Sequence, residues 1–327
     1  MQPTRTDWDA IVIGGGPAGS TTARYIAEGG ADVLVIDGRD PIGSPLQCGE
    51  LVPSNEEMRR LCPDVPEIDD LLRTPESAIS MRTSEMRLVP PSGRPLRYDF
   101  EGVVLDRVAH DEALVELAES SGAHYLVSSR VESVESETVR LRDGSEYTAK
   151  VVIGAGGHND PLRKSEWQTE SLVIPVKFVL MSGDFDEALE LHFGSVAPGG
   201  YAWKFPKQGG ANIGLGIQTA LARGKSLNDY SEKFFSRYEG RVEFSGAGSL
   251  PMSGTIASFV KGNHLLVGDA AGMVLPSNGA GITIAMIGGR IAGQVVAEHL
   301  RDGTPLGEYE IRWESQMGRV MRNSKRA

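Results

Sequence analysis

The fold is decided by residues 10–20, which read AIVIGGGPAGS. Four apolar residues form a short predicted strand, and Gly14, Gly16 and Gly19 follow in the spacing G-x-G-x-x-G. In such a loop the first glycine permits a tight turn, the second lets a pyrophosphate approach the backbone, and the third lets the helix pack closely on the strand. The free N–H groups at the start of that helix bind the anion. The stretch therefore predicts the opening of a Rossmann-type dinucleotide-binding unit.

A second apolar strand and an acidic residue extend this unit. Residues 33–36 read VLVI, and Asp37 closes them, 18 positions after Gly19. A carboxylate at this place accepts hydrogen bonds from the ribose hydroxyls of an adenosine. It favours an unphosphorylated ribose over the 2′-phosphate of NADP. The N-terminal segment therefore predicts a strand–helix–strand unit for NAD or FAD.

A second glycine-rich segment, far along the chain, favours FAD over NAD. Residues 268–282 read GDAAGMVLPSNGAGI, and they too follow a predicted strand and precede a predicted helix. A carboxylate on such a turn, here that of Asp269, can bind the ribityl hydroxyls of a flavin. The helix start at Gly281 and Ile282 can face the flavin pyrimidine ring and stabilise negative charge on it. A nicotinamide dehydrogenase needs only the first unit, so the pair of units predicts a flavoprotein.

Composition and charge exclude several other classes of protein. The chain has 327 residues, and its formal charge is 33 − 44 = −11, which argues against nucleic acid as the main partner. Two cysteines and six scattered histidines predict neither a disulfide framework nor a metal site, and they fit a reduced, cytoplasmic compartment. We expect no signal peptide, and no window of about 18 residues is apolar and uncharged enough to predict a transmembrane helix.

The middle of the chain has the pattern of a second, antiparallel sheet. Strand-like runs follow one another between residues 172 and 219, and residues 76–100 alternate apolar and polar positions around a turn, as a hairpin does. The pattern returns to strand, glycine turn and long helix between residues 264 and 300. We therefore expect an α/β protein whose dinucleotide-binding domain is interrupted by a mostly β domain.

Two further stretches complete a set of four with a recognisable combination. Residues 45–50 read PLQCGE, and residues 198–206 read PGGYAWKFP. With the glycine loop and the turn at Asp269, they resemble the geranylgeranyl reductase family of FAD-dependent oxidoreductases, within the group whose fold is like that of p-hydroxybenzoate hydroxylase. The second stretch matches the family signature P-x-x-Y-x-W-x-F-P. It is the most specific of the four, because five fixed residues, three of them aromatic, rarely coincide.

The resemblance implies a fold class and a division into domains. The fold class is α/β, with a Rossmann-type FAD-binding domain of the glutathione reductase 2 type and a second antiparallel-sheet domain that binds the substrate. The FAD-binding domain is expected to be discontinuous. Its predicted segments are residues 1–75, 101–160 and 262–300, those of the substrate domain are residues 76–100 and 161–261, and a C-terminal helix occupies residues 301–327.

The resemblance also implies the residues that contact FAD. Cys48 stands in a loop expected beside the isoalloxazine, where a thiol can orient substrate or relay a proton; the alternative is a small buried apolar residue. For Arg107 the alternative is a surface arginine. Beside the three glycines of the loop, the implied FAD contacts are Ala18, Asp37, Cys48, Gly49, Leu51, Arg107, Val131, Asp269, Gly281 and Ile282.

Three aromatic residues are implied to bind the substrate. Tyr201, Trp203 and Phe205 alternate along a predicted strand, so their side chains face one side of the sheet. In the family this strand lines the tunnel for a polyprenyl chain, and a flat apolar wall suits a tail without polar groups. The alternative is an ordinary core face of a sheet.

The function implied is the reduction of carbon–carbon double bonds in geranylgeranyl chains, above all those of an archaeal-type digeranylgeranylglycerol phospholipid. It requires an isoprenoid lipid substrate and an electron donor, which is reduced ferredoxin, another low-potential donor or NAD(P)H. Three alternatives stay open: an FAD-dependent monooxygenase or halogenase on the same fold, a chlorophyll-type geranylgeranyl reductase, and a non-catalytic electron-carrying flavoprotein. Residues 154–157 read GAGG where many related flavin hydroxylases have Asp-Gly, which counts against the first alternative.

The last predicted helix has two interpretations. From about residue 305 it places Trp313, Met317, Val320 and Met321 on one face, with arginines around them. This apolar stripe either lies on an anionic bilayer or packs against the rest of the protein. A lipid substrate requires access to a membrane surface in both cases. We therefore expect a cytoplasmic protein, with peripheral contact at the inner face of the cell membrane as an open alternative.

Overall fold

The structure is a computed structural model that describes residues 5–167 and 172–326. Its strands are, in chain order, β1 (Asp7–Ile13), β2 (Val33–Ile36), β3 (Leu51–Pro53), β4 (Ile79–Val89), β5 (Leu96–Leu105), β6 (His124–Leu126), β7 (Val131–Glu135), β8 (Thr138–Leu141), β9 (Glu146–Gly154), β10 (Val173–Ser182), β11 (Leu189–His192), β12 (Ala202–Lys207), β13 (Gly210–Gly216), β14 (Arg241–Pro251), β15 (Val260–Lys261) and β16 (His264–Leu266). Its α-helices are α1 (Pro17–Glu28), α2 (Asn55–Leu61), α3 (Ile68–Leu71), α4 (Arg107–Ser120), α5 (Leu227–Phe235), α6 (Ile282–Asp302) and α7 (Glu308–Arg326).

The first sheet is the Rossmann-type sheet that the glycine loop predicted. Its strand β1 pairs in parallel with β2 on one side and with β9 on the other, and the order along the sheet is β15-β16-β9-β1-β2-β6. Residues 10–13 and all of β2 are buried, as expected for parallel strands that are covered on both faces. The strand–helix–strand prediction for the N-terminal segment is confirmed.

Close contact between α1 and α6 joins the two glycine-rich segments. A Cβ atom on Gly289 would lie 2.6 Å from the carbonyl oxygen of Ala18, and one on Gly293 would lie 2.6 Å from that of Thr22. Only glycine allows the two helix backbones to approach so closely. The start of α6, which follows the second glycine segment, is thereby held in the same layer as the glycine loop.

The second sheet has the order β14-β10-β13-β12-β11-β4-β5-β3. Its neighbouring strands pair antiparallel, as predicted, except that β11 pairs in parallel with β4. The exception arises because the predicted hairpin, β4 and β5, enters this sheet from an earlier part of the chain. The boundary predicted at residue 101 lies inside β5, and β3 also belongs to this sheet. The division into domains stays a prediction, and its residues 1–4, 168–171 and 327 lie outside the described residues.

The two faces of the second sheet are covered differently. On one face Ala211, Ile213 and Leu215 of β13 pack with Phe234 of α5. The opposite face includes Phe178, Trp203 and Phe205, and it turns toward the loop that precedes β3. Gly214 makes room there, because a Cβ atom at this position would overlap the Trp203 ring.

The apolar stripe of α7 is buried in the protein. Trp313, Met317, Val320 and Met321 belong to the hydrophobic core that also contains the first sheet. On the flank of the stripe, Arg312 forms a bidentate ion pair with Glu298 of α6, with N–O distances of 2.9 and 2.7 Å. The packing interpretation of this helix is confirmed, and membrane contact through the stripe is excluded. Within the described residues, no helix is both long enough and apolar enough to cross a bilayer.

Candidate functional site

The glycine loop between β1 and α1 has the geometry of a pyrophosphate cradle. Gly14 has a φ of +99°, and a Cβ atom there would lie 2.6 Å from the carbonyl oxygen of Ala155. A Cβ atom on Gly19 would overlap the carbonyl oxygen of Gly14. A Cβ atom on Gly16, in contrast, would meet only the tip of Arg39, at 3.9 Å. The turn is therefore closed on the protein side and open above Gly16, where a ligand can approach the backbone.

Asp37 lies at the end of β2, beside this cradle. Its carboxylate accepts a hydrogen bond from the Gly15 backbone N–H at 2.8 Å, and Arg39 donates to it from its backbone and its guanidinium. Burial raises the pKa of Asp37, but the bonds from Arg39 and Gly15 outweigh this and lower it below the ordinary value. The sequence analysis missed Arg39, although its place two residues after Asp37 was a signal for an ion pair. A bound ribose would share this carboxylate with Arg39.

Val131 comes to the same end of the first sheet. It opens β7, and the preceding residues lie against the turn after Asp37: Ser129 N–H donates to the Asp37 carbonyl at 2.9 Å. A Cβ atom on Gly38 would lie 2.7 Å from the side chain of Arg130. The backbone near Val131 is therefore placed beside the predicted ribose site, as an adenine contact requires.

The turn at Asp269 adjoins the glycine loop. A Cβ atom on Gly268 would lie 2.7 Å from the Cβ atom of Ala18, so the two glycine segments touch. Burial raises the pKa of Asp269 to about 6, and only the charge of Arg107 opposes this. A carboxylate left so poorly compensated gains from hydroxyl donors, which is the chemistry of a ribityl chain. Ile282, at the start of α6, packs beside it against the apolar end of β5.

Arg107 links Asp269 to the loop of Cys48. Its guanidinium donates to both carboxylate oxygens of Asp111, at 3.0 and 2.8 Å, and it lies close enough to Cys48 to interact with it electrostatically. Burial works against the charge, but Asp111 and Cys48 raise the pKa of Arg107 above its ordinary value. Burial likewise raises the pKa of Asp111, but Arg107 and His110 lower it to about 2. The surface interpretation of Arg107 is therefore wrong.

The loop from Cys48 to Leu51 lies on the aromatic strand. A Cβ atom on Gly49 would lie 3.1 Å from the Phe205 ring and 3.5 Å from the Trp203 ring, so a larger residue would lift the loop. Cys48 is partly exposed, and its Sγ accepts a hydrogen bond from the Glu50 backbone N–H at 3.1 Å. The other cysteine, Cys62, is fully buried in the core, and burial raises its pKa to about 12.

Tyr201, Trp203 and Phe205 form one row of rings. Neighbouring ring centroids are 6.0 and 6.1 Å apart. Trp203 and Phe205 are buried beneath the Cys48 loop, whereas Tyr201 is partly exposed and donates its hydroxyl to the Asn278 carbonyl at 2.6 Å. The row therefore joins the Cys48 loop at one end to the segment before α6 at the other.

Asp160 is a buried acidic residue that the sequence analysis missed. It lies close after the turn GAGG, and its carboxylate accepts hydrogen bonds from the backbone N–H groups of Gly156 at 2.8 Å and Arg163 at 3.0 Å. Burial raises the pKa of Asp160 to about 6. A carboxylate thus reaches this turn from a different position in the chain. The absence of Asp-Gly at residues 154–157 is therefore a weaker argument against a hydroxylase than the sequence indicated.

The implied cofactor contacts thus surround one region of the molecule. The glycine loop has Asp37 on one side and the Asp269 turn on the other, and Arg107 leads from Asp269 to the Cys48 loop, next to the aromatic row. Among residues 5–167 and 172–326, no group of three or more His, Cys, Asp or Glu side chains could hold a metal ion. The arrangement suits an elongated dinucleotide.

Similarity to known proteins agrees with this geometry. A family model described as the geranylgeranyl reductase catalytic domain matches residues 172–247, and one of an NAD(P)-binding Rossmann-like domain matches residues 12–51. The digeranylgeranylglycerophospholipid reductase of Methanosarcina acetivorans is 34% identical, over 95% of this chain and 81% of that protein. Digeranylgeranylglycerophospholipid reductase 2 of Methanococcoides burtonii is 33% identical, over 97% of this chain and 82% of that protein.

Solved structures with the same fold include a reductase-like protein and a monooxygenase. A geranylgeranyl bacteriochlorophyll reductase-like protein from Thermoplasma acidophilum superposes with a TM-score of 0.85 at 27% identity, covering 98% of this chain and 87% of that one. A probable FAD-dependent monooxygenase from Pseudomonas aeruginosa gives a TM-score of 0.68 at 16% identity, covering 98% and 94%, and it shares the fold alone. Since the similarity to the reductases exceeds 30% identity over nearly the whole chain, the protein belongs to the geranylgeranyl reductase family.

Proposed function

We propose that the protein reduces the carbon–carbon double bonds of geranylgeranyl chains in archaeal-type digeranylgeranylglycerol phospholipids, with FAD as its cofactor. As a member of its family it is an oxidoreductase. The observation that supports the proposal most directly is the position of Cys48. Its thiol lies near the largely enclosed cation Arg107, while the adjoining Gly49 lies on the aromatic row of β12.

The residues of the candidate site fit FAD. The open cradle above Gly16 would hold the pyrophosphate, and Asp37 would accept from the adenosine ribose, with the Val131 backbone near the adenine. Asp269 would accept from ribityl hydroxyls, and its poorly compensated burial is the structural reason to expect such donors. The helix dipole of α6 would favour negative charge on the pyrimidine ring near Ile282. When bound and reduced, FAD would supply a hydride to one alkene carbon.

Cys48 is the residue that we propose as catalytic. Saturation of one double bond takes a hydride and a proton, and in our proposal the Cys48 thiol gives the proton to the second alkene carbon. The Glu50 backbone N–H donates a hydrogen bond to its sulfur. A proton from solvent then restores the thiol.

Tyr201, Trp203 and Phe205 are the proposed substrate wall. A geranylgeranyl chain offers no polar group for recognition, so apolar contact and shape must position it. Tyr201 is the partly exposed ring of this row, and the row continues from it beneath Gly49, so that a chain in contact with Tyr201 would be directed toward the Cys48 loop. Each reduced bond consumes two electrons, so the cycle also needs an electron donor, of the ferredoxin class, another low-potential class or NAD(P)H.

An anaerobic assay tests the proposed function. The FAD-loaded protein is reduced with dithionite, a geranylgeranyl ether phospholipid is added, and the lipid is followed by mass spectrometry. We expect mass gains in steps of one hydrogen pair, together with reoxidation of the flavin. Reduced flavin with unchanged lipid contradicts the proposal, and an assay with NADPH and oxygen then tests the monooxygenase alternative.

A variant of Cys48 tests its proposed role. We expect Cys48→Ala to lower the turnover number by about 100-fold or more, as for loss of a general acid, with FAD still bound. Cys62→Ala is the matched control, since this cysteine is buried in the core away from the site, and its turnover should stay near that of the unaltered protein. Unchanged turnover in Cys48→Ala would remove the thiol from the mechanism.

We also propose that the protein contacts its membrane at the open end of the second sheet. Leu96 and Tyr98 of β5 and Phe193 after β11 are 52%, 49% and 38% exposed. We call these three residues the sheet tip. Phe193 N–H donates to the carbonyl of Val89, which places it beside the end of the β4–β5 hairpin. The hairpin turn adds the exposed cation Arg94.

The sheet tip is continuous with the proposed substrate wall. Leu96 pairs with Leu88 of β4, Leu88 pairs with Leu191 of β11, and Leu191 pairs with Trp203 of β12. Directly paired residues point to the same face of a sheet. An apolar path therefore runs from an exposed edge with a basic residue to the aromatic row, and a lipid tail could follow it. Anionic phospholipid is the membrane surface that this edge fits.

A further inference from the structure

Glu50 has an unusual backbone conformation directly after the Cys48–Gly49 pair. Its φ is 71°, in the left-handed region that residues other than glycine seldom adopt. Its side chain is 2% exposed, so a carboxylate lies inside the protein at this point. Both features need support from the surroundings, because strained backbone and buried charge persist only where other contacts hold them.

Two residues of the second sheet hold the Glu50 carboxylate. One oxygen accepts from Lys207 Nζ at 2.7 Å, and the other accepts from Asn212 Nδ2 at 3.0 Å. Lys207 also donates to the Leu105 carbonyl at 2.8 Å. The charge is therefore paired and both oxygens are hydrogen-bonded, from the end of β12 and from β13. The loop is thereby fastened to the sheet rather than to another loop.

Asn212 connects this carboxylate with both sides of the site. The same Nδ2 group donates to the Cys48 carbonyl at 2.9 Å, and Oδ1 accepts from Trp203 Nε1 at 2.9 Å. Asn212 is fully buried. One amide therefore contacts the backbone of the proposed catalytic residue, the carboxylate of Glu50 and the ring of the proposed substrate wall.

These contacts determine where the Cys48 thiol lies. The left-handed turn at Glu50 directs its backbone N–H to Cys48 Sγ, at 3.1 Å. The turn is held by the Glu50 side chain, so loss of the carboxylate frees the backbone and removes that hydrogen bond. We propose that Glu50, held by Lys207 and Asn212, is a positioning residue that fixes the Cys48 thiol between the flavin and the aromatic row. The inference rests on the proposed role of Cys48 in lipid reduction.

A double-mutant cycle tests the inference. Single-turnover reduction of the lipid is measured in the FAD-loaded protein and in Cys48→Ala, Glu50→Ala and the double variant. We expect Glu50→Ala to slow the step by about 10- to 100-fold, because small misplacements of a reacting group have effects of this size. The KM for lipid and the affinity for FAD should change less than about threefold. The double variant should be no slower than Cys48→Ala.

Glu190→Gln is the matched control. Glu190 also pairs with a lysine of β12, Lys204, at 3.3 Å, but on the opposite face of the sheet. This variant should keep the single-turnover rate. If Glu50→Ala does not fold, Glu50→Gln takes its place, since it keeps the size of the side chain and loses the ion pair with Lys207.

The outcomes separate this inference from the proposed function. A normal rate in Cys48→Ala contradicts the role of Cys48, whereas a slow Cys48→Ala with a normal Glu50→Ala contradicts only the role of Glu50. Additive losses in the double variant would also overturn the inference, because Glu50 would then act independently of the thiol.

A readout without lipid completes the test. In a Cys62→Ala background, alkylation of Cys48 by iodoacetamide should slow severalfold on Glu50→Ala, because the sulfur loses the hydrogen bond from the Glu50 N–H that holds it in place. Glu190→Gln should leave this rate unchanged. An unchanged or faster alkylation in Glu50→Ala contradicts the inference even if the protein reduces no lipid.

Discussion

Asp111 and Asp269 both interact with the largely enclosed guanidinium of Arg107, yet their pKa values are shifted in opposite directions. Arg107 donates two hydrogen bonds to Asp111. Although Asp111 is buried, these bonds help to lower the pKa of Asp111 to about 2. For Asp269, the charge of Arg107 is the only effect that lowers the pKa, and burial outweighs it and raises the pKa of Asp269 to about 6. The same cation therefore stabilises one carboxylate fully and leaves the other in need of a donor. We assign that donor to the ligand.

The first residue-scale prediction concerns Asp269→Asn in the flavin-free protein. The folded pKa of about 6 lies above the ordinary 3.8, so the folded state binds the proton more tightly. The carboxylate therefore destabilises the fold above pH 6, and this effect disappears as the pH falls below about 4. We expect Asp269→Asn to raise the melting temperature at pH 8 and not at pH 4. FAD affinity should fall about tenfold, as for loss of a hydrogen bond to a charged acceptor.

Asp111→Asn is the control with the opposite sign. Its folded pKa of about 2 lies below 3.8, so its charge stabilises the fold at neutral pH and this contribution is lost as the pH falls from about 4 to 2. The variant should melt lower than the unaltered protein at pH 8. Thermal unfolding at pH 4 and pH 8 gives both comparisons. A lower melting temperature for Asp269→Asn at pH 8 would contradict our account of Asp269.

At the scale of the element, the turn from β1 to α1 separates structural from ligand-binding glycines. A Cβ atom on Gly19 would overlap a backbone carbonyl, whereas one on Gly16 would meet only the tip of a flexible arginine. Gly16 has a φ of −69°, which any residue adopts. The fold therefore requires Gly19, and only the pyrophosphate requires Gly16.

The element-scale prediction compares Gly16→Ala with Gly19→Ala. Gly16→Ala should keep the melting temperature of the flavin-free protein and weaken FAD binding by about tenfold or more, because the new methyl group occupies the space for the phosphate. Gly19→Ala should destabilise the flavin-free protein by about 1–3 kcal/mol, the usual range for an overpacked site. Denaturation curves and FAD titrations distinguish the two. Equal destabilisation by both changes would contradict the assignment.

The sequence predicted those parts of the molecule whose signals are local. The strand–turn–helix at residues 10–20, the β4–β5 hairpin and the long helix α6 each follow from a continuous pattern. The parallel pairing of β11 with β4 was missed, because no local pattern states which distant strand becomes the neighbour.

The same limit applies to the candidate site. Cys48 and Asp269 stand in recognisable motifs, whereas Asp160, Glu50 and Asn212 gain their importance from partners elsewhere in the chain. Asn212, for example, is an ordinary polar residue of β13 until the fold brings Cys48 and Trp203 to it. The sequence offered no signal for that contact. For Asp160 a signal existed, because the carboxylate of an acidic residue so close to a glycine turn can accept hydrogen bonds from the backbone N–H groups of that turn.

At the scale of the whole molecule, two apolar surfaces had to be distinguished. The stripe of α7 completes the core around the first sheet, and the basic flank of that helix is used in the ion pair of Arg312 with Glu298. The sheet tip, in contrast, stays exposed at the opposite end of an apolar path from the aromatic row. The tip is therefore the better candidate for contact with a lipid surface.

The whole-molecule prediction is a vesicle-binding experiment. We expect the protein to co-sediment with phosphatidylglycerol vesicles more than with phosphatidylcholine vesicles. Leu96→Ser combined with Phe193→Ser should weaken this binding at least tenfold, since each apolar side chain contributes about 1.5–3 kcal/mol when it leaves water. Ile311→Ser is the control, because Ile311 is 63% exposed on α7. Weaker binding of Ile311→Ser alone would return the membrane contact to α7.

The parallel pairing of β11 with β4 has a consequence for the order in which the chain can fold during synthesis. The hairpin of residues 79–105 leaves the ribosome early, but its neighbour in the sheet, β11, is made only at residues 189–192. Formation of the first sheet is delayed in the same way, because β16, which pairs with β9, is made only at residues 264–266. Neither sheet can close before most of the chain has been translated. The nascent protein therefore exposes unpaired strand edges for much of its synthesis, and chaperones that protect such edges should raise its yield.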